Sequence, residues 1–295
     1  MNTELLNRRD FLRRAGAGSA ALFGAAGISS EALVPVHDSR ISIHEPAEQL
    51  SRIGVQLYTV RNQMRESVEK TLEQVARIGY KEVEFAGYFG RTPQQIRSIL
   101  DANGLTSPSA HSANMPAIRQ RLAELIEEAA IIGQQYLICA SIPRSEMTAD
   151  GFRKVAGELN RAGEMAAKSG IKFGFHNHSD DLSALGSTTG YDILLTECDP
   201  RVTSMQMDIF WLVKGGKDPL AYIAKYPGRF FSVHVKDMDA NGTMVDAGAG
   251  TLPFGKIFAQ SKQAGLQHYF VEHDDPADPM ASIEASYKHL RALRF

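Results

Sequence analysis

Two hydrophobic periods alternate along most of this chain. Short runs at 53–58, 82–86, 106–111, 135–140, 172–176, 202–208, 230–236 and 268–273 are rich in β-branched, aromatic and aliphatic residues. Between them, apolar side chains return every three or four positions, as at 68–78, 118–132 and 152–168. The first pattern predicts strands and the second predicts amphipathic helices. A glycine closes the helical stretches at Gly79, Gly104, Gly133, Gly170, Gly228 and Gly265, where a left-handed residue ends a helix without strain. The tail from Pro279 reads as the eighth helix, with Ile283, Tyr287, Leu290 and Leu293 on one side. Eight strand–helix units in roughly 245 residues match a closed (β/α)₈ TIM barrel. An open doubly wound sheet would carry a glycine-rich loop after its first strand, and Tyr58-Thr59-Val60-Arg61 is not one.

The first fifty residues follow neither period. Arg8-Arg9-Asp10-Phe11-Leu12 precedes a small-residue, apolar run from Ala15 to Ile28. Paired arginines ahead of such a run are the layout of a twin-arginine export signal, and the run is short of the roughly 20 residues that span a bilayer. The expected domains are therefore a signal peptide over 1–32, cleaved after Ala32, a linker over 33–50, and the barrel over 51–295. The expected location is periplasmic or otherwise exported, with no stable membrane anchor after cleavage.

Composition narrows the chemistry. Of 295 residues, 32 are Lys or Arg and 34 are Asp or Glu, for a net charge of −2. With no basic excess and no basic cluster interleaved with aromatics, no nucleic-acid partner is expected. The two cysteines, Cys139 and Cys198, form no CxxC pair, so a thiolate metal site is not expected and two buried free thiols are.

The polar residues at the strand ends are the remaining signal. A barrel places its functional groups at the C-terminal ends of its strands. There the chain has Gln56, Tyr58, Glu84, His111, His176, His178, Asp208, His234, Lys236 and Glu272. Residues two apart share a strand face, so His176 joins His178, and His234 joins Lys236. Ionisable groups from seven strands are hard to explain as core packing, because each buried charge without a partner costs several kcal/mol. Imidazoles and carboxylates without thiolate suit one divalent ion of Mn, Fe, Co or Zn. His176, Asp208, His234 and Glu272, from strands five to eight, form the candidate ligand set. Beside such an ion, a carboxylate or imidazole such as Glu272 or His178 can move a proton on the carbon next to a carbonyl. Lys236 can neutralise the oxygen; its structural alternative is a salt bridge to Asp237 or Glu272.

These residues sit in recognisable segments: Val55-Gln56-Leu57-Tyr58-Thr59-Val60-Arg61, Gly79-Tyr80-Lys81-Glu82-Val83-Glu84, Phe175-His176-Asn177-His178, Asp208-Ile209-Phe210-Trp211, Val233-His234-Val235-Lys236-Asp237 and Val271-Glu272. As a set, over about residues 51–294, they resemble the sugar phosphate isomerase/epimerase family of xylose-isomerase-like TIM barrels, in particular its members with twin-arginine signals. The resemblance implies a divalent metal at the barrel mouth and a small-molecule carbonyl-sugar or polyol substrate. It matches His176, Asp208, His234 and Glu272 to the ligands, and Glu84, His111 and Lys236 to positions that handle substrate. It also implies that Trp211 walls the pocket. Two departures stand out. Ketose epimerases of the superfamily carry a glutamate on strand five, where this chain has His176-Asn177-His178. Relatives often carry Glu between the glycines of the loop that here reads Asp246-Ala247-Gly248-Ala249-Gly250.

The expected function is a divalent-metal-dependent isomerase, epimerase or lyase that acts on a sugar or keto-sugar by proton abstraction next to a metal-bound carbonyl. The alternative is a non-catalytic periplasmic sugar-binding barrel. An abasic-site endonuclease of the same superfamily is disfavoured by the charge balance and the export signal. An oligomer is compatible with the sequence, which does not set the oligomeric state.

Overall fold

The computed structural model describes residues 48–295. The signal peptide expected over 1–32 lies outside the described residues, as does the linker up to residue 47. Eight parallel strands form the barrel: β1 (Gly54–Gln56), β2 (Glu82–Glu84), β3 (Ser109–Ala113), β4 (Tyr136–Cys139), β5 (Lys172–His176), β6 (Thr203–Asp208), β7 (Phe230–Val235) and β8 (His268–Val271). Their hydrogen-bonded order is β2-β1-β8-β7-β6-β5-β4-β3. Isolated parallel bridges, Glu82 with Thr106 and Phe85 with Ala110, bring β2 against the β3 segment and nearly close the ring. All eight predicted strands are present, and the predicted helix at 68–78 is Val68–Ile78.

Alternation along the strands separates two layers. Val55, Val83, Leu137, Phe173, Phe175, Met205, Met207, Val233 and Val235 are fully buried between strands and outer helices. The opposite face points into the barrel and carries the polar set. Toward the base, the barrel is filled by Tyr136 stacked on Phe231, ring centroids 3.8 Å apart. This filling needs glycine next to it: a Cβ on Gly174 would meet Ile138 Cδ1 at 2.6 Å, and one on Gly54 would meet the Phe270 ring at 2.5 Å. His268 and Glu82 pair at 2.8 Å within the same layer.

The outer helices begin on side-chain caps. Ser67, Asn114, Thr148, Thr189 and Asp278 each accept a backbone N–H from the first turn, which supplies donors that the helix itself leaves unpaired. Thr92 and Gln95 form a reciprocal box ahead of Pro93–Asn103. All six predicted closing glycines have positive φ. Residues 48–50, predicted as linker, instead join the barrel: Glu48 and Phe295 exchange both backbone hydrogen bonds, and Leu50 is buried. The two cysteines are buried free thiols. Among the described residues, no helix is long and apolar enough to cross a membrane.

Candidate active site

The chain leaves β6 through Asp208, and this one residue serves both fold and site. Its Oδ1 accepts the Trp211 N–H at 2.8 Å and caps helix Ile209–Lys214. Asn177, just past β5, holds the same backbone from the other side: the Asp208 N–H donates to its Oδ1 at 3.0 Å. Asp208 Oδ2 is thereby turned into the barrel. It is buried and accepts no hydrogen bond, although the Lys236 ammonium stands 3.1 Å away.

Next to it, His234 lies between two carboxylates, with Nδ1 2.7 Å from Glu272 and Nε2 2.6 Å from Glu84. Burial opposes charge on this ring, but Glu272 and Glu84 override it and hold its pKa up at about 10. Glu84 is itself fully buried. Burial alone would raise its pKa, yet His111 and His234 bring it down to about 2. Its oxygens also accept from Gln56 Nε2 and Gln206 Nε2, each at 2.8 Å, and from Ser109. The sequence assigns Glu84 to substrate handling; the structure places it beneath the cleft, where it orients His234. A carboxylate behind an imidazole orients the ring: with Glu84 on Nε2, Nδ1 is turned toward Glu272 and, at 3.9 Å, Asp208 Oδ2.

Gln206 links the histidines. Its Nε2 faces Glu84, an acceptor, and Ser232 Oγ at 3.0 Å. Its Oε1 therefore faces His111 Nε2 at 2.6 Å and His176 Nδ1 at 3.1 Å and accepts from both. This network puts the His176 proton on Nδ1 and leaves a lone pair on Nε2. That Nε2 lies 3.7 Å from Asp208 Oδ2. The Lys236 ammonium, 3.1 Å from Oδ2, supplies positive charge to this pair, and two acceptors facing each other at this distance also suit a metal cation.

The donor set fits one. Asp208, His234 and Glu272 bring one donor atom each within 4.8 Å of one another, and His111, His176 and His234 do the same. Of the four predicted ligands, three form the first group, and His176 reaches it through Asp208 and His234. Two carboxylates with imidazoles are ligands for a divalent first-row ion.

Above this layer opens a cavity of about 400 Å³, lined by Tyr58, His111, Ser141, His176, His178, Lys236, Glu272 and Asp274 among others. Burial and the nearby Lys236 lower the His178 pKa to about 4, so its imidazole is neutral at pH 7. Burial opposes the Lys236 charge, but Asp208, Glu272 and Asp274 keep it protonated; Glu272 Oε2 is 2.8 Å and Asp274 Oδ1 2.7 Å from its Nζ. The salt bridge predicted to Glu272 is present, and Asp237 is not part of it. Asp237 instead accepts backbone N–H groups from Met238, Gly248, Gly250 and Leu252 and so shapes the 246–250 loop. Gln206, Ser109, Ser232 and Asp274 are site residues beyond those predicted. The first three stand two positions before a predicted residue, on the same strand face.

Fold and site together define a (β/α)₈ barrel with a polar, enzyme-type mouth. The chain belongs to the xylose isomerase-like TIM barrel family, whose model matches residues 72–293. It is 22% identical over 251 residues to an inosose dehydratase of Lacticaseibacillus casei, covering 71% of this chain and 83% of that protein. An inosose dehydratase of Geobacillus thermodenitrificans is 30% identical over 139 residues, 40% of this chain and 46% of that one. Among solved structures, a sugar phosphate isomerase/epimerase of Parabacteroides distasonis superposes with a TM-score of 0.74 at 25% identity, over 88% of this chain and 98% of that one.

Proposed function

We propose that this protein is a metal-dependent isomerase, epimerase or lyase that removes the proton next to the carbonyl of a sugar or keto-sugar. The observation that carries the reading is the cleft wall itself. A neutral imidazole, His178, and a permanently charged ammonium, Lys236, share one cavity directly above a carboxylate–imidazole cluster. A divalent ion held by Asp208, His234 and Glu272, with His176 beside them, would supply Lewis-acid polarisation of the carbonyl. His178 takes the proton from the adjacent carbon. Lys236 hydrogen-bonds the oxygen on which negative charge grows, and Glu272 and Asp274 hold that ammonium in place. His111 borders the same cavity and positions the substrate. The inosose dehydratase likeness supports elimination as the outcome, and the isomerase/epimerase likeness supports reprotonation. Both begin with the same proton transfer.

The test is deuterium wash-in. Incubated with a keto-sugar in D₂O, the protein is expected to exchange the proton next to the carbonyl, followed by NMR. His178→Asn should slow this by about 10²–10⁴. Because the base must be unprotonated, kcat/KM should be flat at neutral pH and fall as pH drops through about 4. Wild-type rates in His178→Asn would remove it as the base. Sugar binding without any exchange would favour the non-catalytic binder.

We also propose export through the twin-arginine route, on the strength of Arg8-Arg9 and the apolar run after them. Residues 1–32 fused to a reporter are expected to send it to the periplasm, and Arg8→Lys with Arg9→Lys to retain it inside. Equal export of both fusions would contradict this.

A further inference from the structure

The cleft does not end at His178. A second cavity of about 430 Å³ is lined by Ser141, Ile142, Arg144, Met147, His178, Ser179, Asp180, Asp181 and Trp211. It shares Ser141 and His178 with the first, so the two are lobes of one cleft with His178 at the waist. A row of rings runs from one to the other: His111 to His176 at 4.7 Å, His176 to His178 at 4.7 Å, and His178 to Trp211 at 6.0 Å between centroids. Each lobe falls in the range of about 300–1,000 Å³ that encloses a whole small ligand. One six-membered ring at the inner lobe therefore leaves the outer one unused.

The outer lobe has the lining of a ring-binding site. Ile142, Met147 and Trp211 give it an apolar side, and Ser141, Ser179 and the Arg144–Asp180 pair (3.2 Å) give it a polar one. A pyranose has the same two characters, C–H faces and hydroxyl edges. Trp211 supplies the large ring surface of this lobe, its centroid 6.0 Å from that of His178 at the waist.

We propose that this outer lobe is a second subsite, and that the substrate is a glycoside whose reacting sugar occupies the inner lobe and whose attached ring occupies the outer one, against Trp211. This rests on the inner lobe being the sugar site described above. Trp211 acts here in specificity and takes no part in proton transfer.

Trp211 is the only tryptophan in the chain and lines the outer lobe, so its emission reports that lobe and, more weakly, the inner one through His178 and Lys236, whose Nζ lies 5.6 Å from its ring centroid. The full-length protein would be titrated with glucose, cellobiose, trehalose and phenyl β-glucoside, using Trp emission and calorimetry. At least one of the three glycosides is expected to shift the emission saturably and to bind about ten-fold tighter than glucose. Glucose, confined to the inner lobe, should change the emission less than that glycoside does. In Trp211→Ala, and in the more conservative Trp211→Phe, calorimetry should show most of that preference lost. Comparison of cellobiose and trehalose with the phenyl glucoside tells a sugar from an aryl occupant. Glucose binding with no glycoside preferred overturns the subsite and leaves the sugar-site reading standing. No binding of any of the four also overturns the subsite, and the sugar-site reading is then decided by the D₂O exchange.

Discussion

Gln206 carries no chemistry of its own, yet four side chains depend on it. It gives two N–H groups to Glu84 and Ser232 and accepts from His111 and His176. Gln206→Leu nearly preserves volume and strips those partners at once. Stability is expected to fall by about 2–4 kcal/mol, read by chemical denaturation, since buried polar groups are left unpaired. Activity should fall about 10–100-fold, because the histidines lose their fixed tautomers. Wild-type behaviour on both counts would contradict the hub role. At this scale the sequence shows ionisable residues but not what holds them. His176, Asp208, His234, Lys236 and Glu272 stand out because charge at a strand end needs a reason. Gln206, Ser109 and Ser232 share their faces two positions earlier, and a neutral polar residue there reads as ordinary polarity. Asp274 lies beyond the end of β8, where alternation stops and no register assigns it.

At the scale of elements, turns couple the fold to the cleft. Past β5, the 3₁₀ turn Ser179–Leu182 is held by the His178 N–H donating to Asp181 Oδ2 at 2.7 Å. Burial pushes the Asp181 carboxyl up to about 7, opposed in part by that hydrogen bond. Its ordinary value is 3.8, so between about pH 4 and 7 the folded state holds a proton that the unfolded chain releases. Stability from this group therefore declines as pH rises through that window and is level above it. Asp181→Asn keeps an acceptor for His178 and removes the titration. It is expected to flatten the decline and to gain about 1–4 kcal/mol at pH 8 relative to pH 4. Thermal melts of both proteins across pH 4–8 check this, and parallel curves would contradict it. Periodicity captures the strands and the long helices because each must keep one face apolar. It does not capture the two-residue strands Asp237–Met238 and Met244–Val245. Those are set by Asp237, whose carboxylate gathers the loop's backbone N–H groups. A Cβ on Gly250 would collide with it at 2.4 Å.

For the described barrel as a whole, the eightfold repeat makes the architecture readable, since each unit repeats a strand followed by helix and six of the eight close on a glycine. The site is readable only in outline. Seven strands each deliver one or two residues to the mouth, and their relation depends on barrel closure, which no local pattern encodes. This is why Glu84, predicted to meet substrate, lies under His234. It is also why three of the four predicted ligands converge as one group, with His176 held beside them by Gln206.

The central claim is that this convergence is a metal centre that enables proton transfer. Elemental analysis of the purified full-length protein, beside Asp208→Ala/His234→Ala, tests it most directly. About one equivalent of Mn, Fe, Co or Zn in the wild type and little in the double variant is the expected result. Absence of metal from both, after reconstitution with Mn²⁺, Co²⁺ or Zn²⁺, would contradict it.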